Sequence, residues 1–370
     1  MRIGIDLLWV RAGKCGGTEA YIRNLLDGFA CYFPEEEFVL FAARDNCKTF
    51  FKYTEHSNMR LFQCPLDSAM PWKRIAWENL YLAKQAQKAK IEAMFIPVYS
   101  KPWTFGSRIP YVTVIHDLQA FHYPQFFSMP RRVFLKNKWK YACRTSAQLI
   151  TISDFCKRDL IRHYPFASDK IHVIYDPVTS SGQTASFETV GKKYGIDAGK
   201  YFYCVSSMLP HKNLGTLLQV MAELKRMGET PRLVLSGVGG RQAEFSADLK
   251  RLEITDAVVQ TGFVTDEERD CLYENCEMFL YPSMFEGFGM PPVEAMRKGR
   301  PVVMTKEACL EEITGKKAVY VRHPQDVQEW IDKIRFAREQ TVQPEAFLQY
   351  ELRTITEQVM QVLRHAVRFT

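Results

Sequence analysis

What the sequence lacks narrows its class first. No apolar run in its 370 residues approaches the roughly 20 needed to span a bilayer, and no tract is low-complexity. The opening "MRIGIDLLWVRAG" has no long apolar h-region and no small-residue cleavage site, so it reads as a first β-strand rather than an export signal. The ten cysteines form no C-x-x-C pair, and the nearest two, Cys271 and Cys276, have four residues between them. That argues against a disulfide framework or a zinc site and suits a reducing, cytoplasmic compartment. Helix-turn-helix, zinc-finger and RNP signatures are missing too, which argues against nucleic acid as a partner.

What is present is the composition of a globular enzyme, 46% hydrophobic and 25% charged. The length predicts two domains of about 150 to 200 residues. A formal charge of +7 favours an anionic ligand or membrane face.

The amino-terminal half alternates apolar strands with helical patterns. "MRIGIDLLW" is followed by a Gly-rich turn and by "TEAYIRNLLDGF", where Ile22, Leu25, Leu26 and Phe29 share one helical face and Thr18 is the predicted N-cap. "EFVLFAA", "AMFIPVY", "YVTVIHD" and "AQLITIS" read as further buried strands. Residues 179–199 are polar and rich in Gly and Ser, and read as a linker. Six strands follow: "YFYCVSS", "RLVLSG", "VVQTGFV", "MFLYPS", "PVVMT" and "AVYVR". This β/α alternation predicts two doubly wound, Rossmann-like α/β domains facing a central cleft, over residues 1–180 and 181–344. Residues 345–370 carry an apolar stripe from Leu348 to Ala366 and read as one amphipathic helix.

Several motifs fall where open α/β sheets bind ligands, at the carboxyl ends of strands. Gly16 and Gly17 precede a helix and can present backbone amides to a phosphate; a plain tight turn is as good a reading. The turn over residues 237–242, "GVGGRQ", lacks the third glycine of a dinucleotide fingerprint, which weakens a dehydrogenase reading. His116 and Asp117 end an apolar strand. His211 and Lys212 lie in a strand-to-helix loop, where a lysine can neutralise a diphosphate as a point charge. In "EGFGMPPVE", Glu286 falls in a loop, Pro291 and Pro292 suit a first helical turn, and Glu294 is placed in that turn. Two carboxylates with no nearby His make a poor metal site.

"EGFGMPPVEAM" resembles the Glu-x7-Glu motif of the retaining GT-B glycosyltransferases of family 4, the group 1 glycosyl transferases, which include bacterial mannosyl-, rhamnosyl- and glucosyltransferases. "GGTEAYIRNLL", "VIHDL", "ITISDFCKRDL", "SSMLPHKNLGTLL", "GFVTDEERDCLYENCEMFLYPSMFEGFG" and "RKGRPVV" are similar to that family's blocks, in order and spacing, nearly end to end. The resemblance implies a GT-B fold and a nucleotide diphosphate sugar as donor. Glu294 would then meet the ribose hydroxyls and Glu286 the donor sugar. Phe288, Gly289 and Met290 would supply amides, Lys212 would hold the diphosphate, and Phe263 and Val264 would border the base. From the first domain, Gly16 and Gly17 would approach the phosphate and His116 the reacting sugar, while the last helix would pack back on that domain. His116, Glu286 and Lys212 are the implied catalytic set, working without a metal or other cofactor.

One departure stands out. Many members carry Gly-Arg where this chain has Ser206 and Ser207, so either one cationic partner is missing or His211 takes the role beside Lys212 with some dependence on pH. The doubled proline is frequent among mannosyl- and rhamnosyltransferase-like members, so the resemblance implies a GDP- or dTDP-linked donor. The implied acceptor is a glycan or a lipid-diphosphate-linked saccharide of cell-surface polysaccharide assembly. Alternatives are a glucan or disaccharide synthase of the same fold, or a catalytically silent sugar-nucleotide-binding subunit. Arg131 to Arg144 holds six basic residues and no acid, interleaved with Phe134, Trp139 and Tyr141. It reads either as a peripheral contact with an anionic membrane or as a solvated basic helix.

Overall fold

Continuous apolar runs need cover on both faces, and here they fold as strands of two all-parallel sheets. The structure of the protein, a computed structural model, describes residues 1–370 except 104–106, 181, 240, 241, 341, 343, 369 and 370. It divides into two units, Met1–Pro177 with Tyr350–Thr370, and Val178–Gln349.

The first unit holds β1 (Arg2–Asp6), β2 (Glu37–Ala43), β3 (Met59–Cys64), β4 (Ala93–Ile96), β5 (Tyr111–Ile115), β6 (Gln148–Thr151) and β7 (Ile171–Val173). Their order is β3-β2-β1-β4-β5-β6-β7. The second holds β8 (Tyr201–Val205), β9 (Arg232–Ser236), β10 (Val258–Gly262), β11 (Met278–Tyr281), β12 (Val302–Thr305) and β13 (Val319–Val321), ordered β10-β9-β8-β11-β12-β13. Both are doubly wound Rossmann-type sheets. Strand order reverses between β1 and β4 in one and between β8 and β11 in the other, and each reversal opens a crevice at the carboxyl ends.

Four expectations need correction. The first helix, Gly17–Tyr32, is capped by Gly16, not Thr18, which lies inside its first turn. The polar stretch 179–199 is not all linker, because Phe187–Tyr194 folds as a helix on buried Val190. The last helix runs only over Leu352–Arg368, after a tighter 3₁₀ stretch, Pro344–Tyr350; Leu348 is outside the helix and 53% exposed. Glu294 is the fifth residue of the Met290–Arg297 helix, beyond the first turn, so the helix dipole does little for it.

The last helix buries Ile355, Val359, Met360 and Leu363, and Arg364 pairs with Glu36 at 2.6 Å. It meets the first helix where Thr356 sits on Gly28. A Cβ at Gly28 would collide with Thr356 Oγ1 and lie 3.1 Å from its Cγ2. Gly28→Ala is therefore expected to cost about 1–3 kcal/mol through overpacking, despite alanine's better helix propensity. Adding Thr356→Ala should recover most of it. Urea midpoints of the wild type and the three variants read the coupling; additive losses would refute the contact.

Candidate functional site

In the second unit the β8/β11 reversal sets two loops side by side. β8 runs out through Ser206 and Ser207 into the turn Pro210–Lys212, then Asn213 in the left-handed region (φ +53°) opens the helix Leu214–Arg226. β11 runs out through Ser283 into the loop that carries Glu286. The Met284 N–H donates to the His211 carbonyl at 2.7 Å and stitches the loops together. Lys212 Nζ reaches Glu286 Oε1 at 2.6 Å, and the Tyr281 hydroxyl donates to the same oxygen at 2.5 Å. Residues 74 apart in sequence thus meet at the switch point.

Burial pushes the Glu286 carboxyl up, but the Lys212 charge and hydrogen bonds from Lys212, Tyr281 and Ser283 outweigh it and hold it below the ordinary range. Glu286 is therefore a carboxylate at neutral pH. An ammonium has three donors and Glu286 engages one, so Lys212 has the capacity to hold an anion as well.

His211 is different. Burial pushes its imidazole down to about 4, and Lys212 beside it acts in the same direction against a smaller pull from Glu286. At neutral pH it is uncharged, and the expected second cation is not there. Ser206 and Ser207 supply none either; a Cβ at Gly237 would come 2.8 Å from the Ser206 carbonyl, so the β9 turn presses on them closely.

Glu294 accepts from the Tyr273 hydroxyl at 2.8 Å and has Arg269 Nε at 3.9 Å. Burial lifts its carboxyl above the ordinary range, Asp270 and Asp266 add to that, and Arg269 and Tyr273 oppose it. Gly289 caps the Met290–Arg297 helix at φ +91°, a conformation suited to glycine. Pro291 and Pro292 carry no N–H, so the helix start offers the amides of Gly289 and Met290. Phe288 is buried; its carbonyl and that of Glu286 accept from Cys309 Sγ, at 3.0 and 3.3 Å. Phe263 and Val264 follow β10, with the Phe263 ring 79% exposed. The 237–242 turn includes residues 240 and 241, which lie outside the described residues.

In the first unit, Gly16 holds φ +56° and ψ −138° and its carbonyl accepts from Glu19 N–H and Ala20 N–H. Glu19 in turn accepts from the Gly13 amide at 3.0 Å and from Arg23 at 2.9 Å, which fixes the glycine loop on the helix start. His116 donates from Nε2 to the Pro97 carbonyl at 2.8 Å, since a carbonyl can only accept, and this leaves Nδ1 as an acceptor. Burial holds its imidazole down at about 4, so it is neutral. Its ring stands edge-on to Tyr21, 5.0 Å between centroids. Asp117 caps the next turn through Gln119 N–H.

Sequence reasoning missed Tyr21, Arg269, Tyr273, Tyr281, Ser283 and Cys309. Only Tyr281, the last residue of a strand feeding the site loop, left a readable signal. Among the described residues, the Tyr21 hydroxyl and Asp176 Oδ1 are both buried without a hydrogen-bond partner. The acids and histidine at 323, 326 and 329 could geometrically hold a metal, but they are accounted for as a helix cap: Asp326 accepts from Glu329 N–H, and Glu329 from the amides of Arg322 and His323.

Two family models match: Glycosyltransferase Family 4 over residues 15–181 and Glycosyl transferases group 1 over residues 186–351. The O-antigen chain mannosyltransferase RfbU of Salmonella typhimurium is 29% identical over 60% of this chain and 59% of its own length. The O-antigen chain mannosyltransferase B of Escherichia coli is 30% identical over 58% of each. The chain thus spans about three fifths of the length of these two curated relatives. Among solved structures, sucrose-phosphate synthase from Thermosynechococcus elongatus superposes with a TM-score of 0.79 at 16% identity over 100% of both chains. Anabaena HepE in complex with UDP gives 0.72 at 19%, over 98% of this chain and 99% of that one.

Proposed function

The chain belongs to the family 4, group 1 glycosyltransferases, and from that premise we propose that it moves a hexosyl group, mannosyl in the first instance, from a nucleotide diphosphate sugar to a glycan or lipid-linked acceptor of surface polysaccharide. The observation that carries the reading is the Lys212–Glu286 pair, 2.6 Å across the β8/β11 switch point. A departing nucleoside diphosphate gathers negative charge, and a fixed lysine with the amides of Gly289 and Met290 stabilises it with no reorganisation. Glu286 orients the sugar, Glu294 takes the ribose hydroxyls, Phe263 and Val264 border the base, and Ser207 lines the diphosphate path. In the first unit Gly16 and Gly17 approach the phosphate, and neutral His116 accepts a sugar hydroxyl on Nδ1. His211, uncharged, serves through its carbonyl by holding the Met284 amide.

Transfer with retention fits a front-face route, in which the leaving phosphate oxygen takes the acceptor proton; no metal is required. The test is turnover of GDP-mannose with a mannose-terminated acceptor, with the anomeric product read by NMR and EDTA added in parallel. An inverted product, or loss of turnover with EDTA, would overturn the corresponding step. A thermal-shift comparison of GDP, UDP, ADP and dTDP identifies the base.

Peripheral membrane contact belongs to the same proposal. On the Met129–Thr145 helix, Met129 and Val133 are 67% and 51% exposed beside Arg131. The charges are partly engaged: Lys138 is buried, and Lys136 and Arg144 lie over the rings of Phe121 and Phe166. Among the described residues no helix is long and apolar enough to cross a membrane. Replacing Arg131, Lys136, Lys140 and Arg144 by Ser is expected to abolish flotation with anionic vesicles; unchanged flotation would sink the idea.

A further inference from the structure

Among the described residues, β13 is the outermost strand of its sheet, paired only with β12. Along it runs a cavity of about 310 Å³. Five of its lining residues are cations: Lys306 after β12, Lys316 and Lys317 before β13, Arg322 after it, and Lys333 on the helix Val327–Ala337. Among the described residues, only Lys306 of these has a carboxylate partner, Glu311 at 2.8 Å. Among the described residues, the side chains of Lys316, Lys317, Arg322 and Lys333 make no ion pair. Lys316 holds a left-handed backbone, φ +62°, uncommon for a residue with a side chain. Ala318, Val319 and Gln340 complete the lining with two aromatic residues: Tyr320, pinned through its hydroxyl to Thr314 Oγ1 at 2.5 Å, and Phe336, 53% exposed.

A scattered basic surface would mix its charges with acids. Here like charges converge on one concavity with a single counter-charge, which concentrates positive potential where field lines focus. We propose that this trough binds a small, multiply phosphorylated ligand, at a site that shares no residue with the Lys212–Glu286 pair. Lysines meet phosphate as point charges from several directions, which suits a pyrophosphate-like group, and Phe336 offers a face to any ring attached to it. The volume lies at the lower end for small-molecule pockets, enough for a sugar phosphate or a nucleotide in part. The wall also matters for the donor loop. Lys306 pairs with Glu311 at the trough, while Cys309 holds the Glu286 and Phe288 carbonyls and Leu310 packs against Gly289. The segment 306–311 therefore borders the trough through Lys306 and buttresses the loop through Cys309 and Leu310.

The proposal goes beyond sugar transfer and does not depend on it. The probe is labelled inorganic pyrophosphate in equilibrium dialysis with the full chain. Wild type is expected to bind two equivalents, one at Lys212 and one in the trough. The triple variant Lys316→Ala, Lys317→Ala, Lys333→Ala should lose one equivalent, weakened at least tenfold, while the triple Lys→Arg variant keeps it. Lys212→Ala should lose only the other. If the Lys212 reading alone fails, wild type binds one equivalent that Lys212→Ala leaves and the triple Ala variant removes. The trough proposal is overturned if the triple Ala variant binds pyrophosphate as wild type does. Citrate competing equally for the trough would overturn its assignment to phosphate.

Discussion

Lys212→Ala is expected to lower kcat by two to three orders of magnitude, the range for removing one donor aimed at developing negative charge. The nucleotide-sugar ground state already carries its diphosphate charge, so part of the loss should also appear in KM, but the larger part belongs to the leaving step. Glu286→Gln keeps an acceptor for the Tyr281 hydroxyl while removing the charge that engages Lys212 at 2.6 Å. Its loss should be smaller, and the double variant should be little worse than Lys212→Ala, because the two side chains act as one unit. Multiplicative losses in nucleotide release would show that they act separately.

Lys212→Ala also carries a stability signature. In the wild type the Lys212 charge is the leading influence that offsets burial at Glu286 and brings its carboxyl below the ordinary range. Without it, burial dominates and the native-state pKa rises above the unfolded one. The native state then holds a proton that the unfolded state releases, so the variant loses stability relative to wild type as pH rises through and above about 4.3. Melting temperatures of the two proteins between pH 4.5 and 8 should diverge upward in pH. Parallel curves would mean that Tyr281 and Ser283 alone hold the carboxylate.

Which parts were readable follows from where residues sit in the sheets. Interior strands such as β4 and β11, buried throughout, announce themselves as apolar runs. The two strands the sequence hid, β3 and β7, are the outer edges of the first sheet. Edge strands face solvent, so Arg60, Gln63 and His172 enter and the pattern dissolves. The Phe187–Tyr194 helix was read as linker because two turns carry too few apolar positions for a period to show. At the site, glycines, prolines and acids punctuate the chain visibly, but pairing does not. That Tyr273 would meet Glu294, or Cys309 the Phe288 carbonyl, requires the sheet order. His211 makes the point most sharply: its residue type suggests a cation, and only burial shows it to be neutral.

That neutrality predicts a pH signature of its own. The His211 imidazole is pushed down to about 4 by burial first and by Lys212 second. Its folded pKa lies below the unfolded value near 6.5, so between the two values the unfolded state binds more protons. The contribution is complete above about pH 6.5 and is lost as pH falls towards 4, a swing of roughly 3 kcal/mol. Wild-type stability alone will not display it. Asp6, lifted by burial to about 6, and Glu78, Asp176 and Glu294, lifted likewise, take up protons in the native state and act in the opposite direction. The difference between wild type and His211→Gln isolates the imidazole: whatever the glutamine costs at pH 7, the gap should shift by roughly 3 kcal/mol in the variant's favour by pH 4. A gap independent of pH would mean that His211 titrates normally. Activity gives the second reading. A cationic His211 would raise kcat/KM below pH 6.5, and His211→Gln would remove that rise. The buried imidazole predicts no such gain in either protein, leaving Lys212 as the cation of this loop that meets the diphosphate.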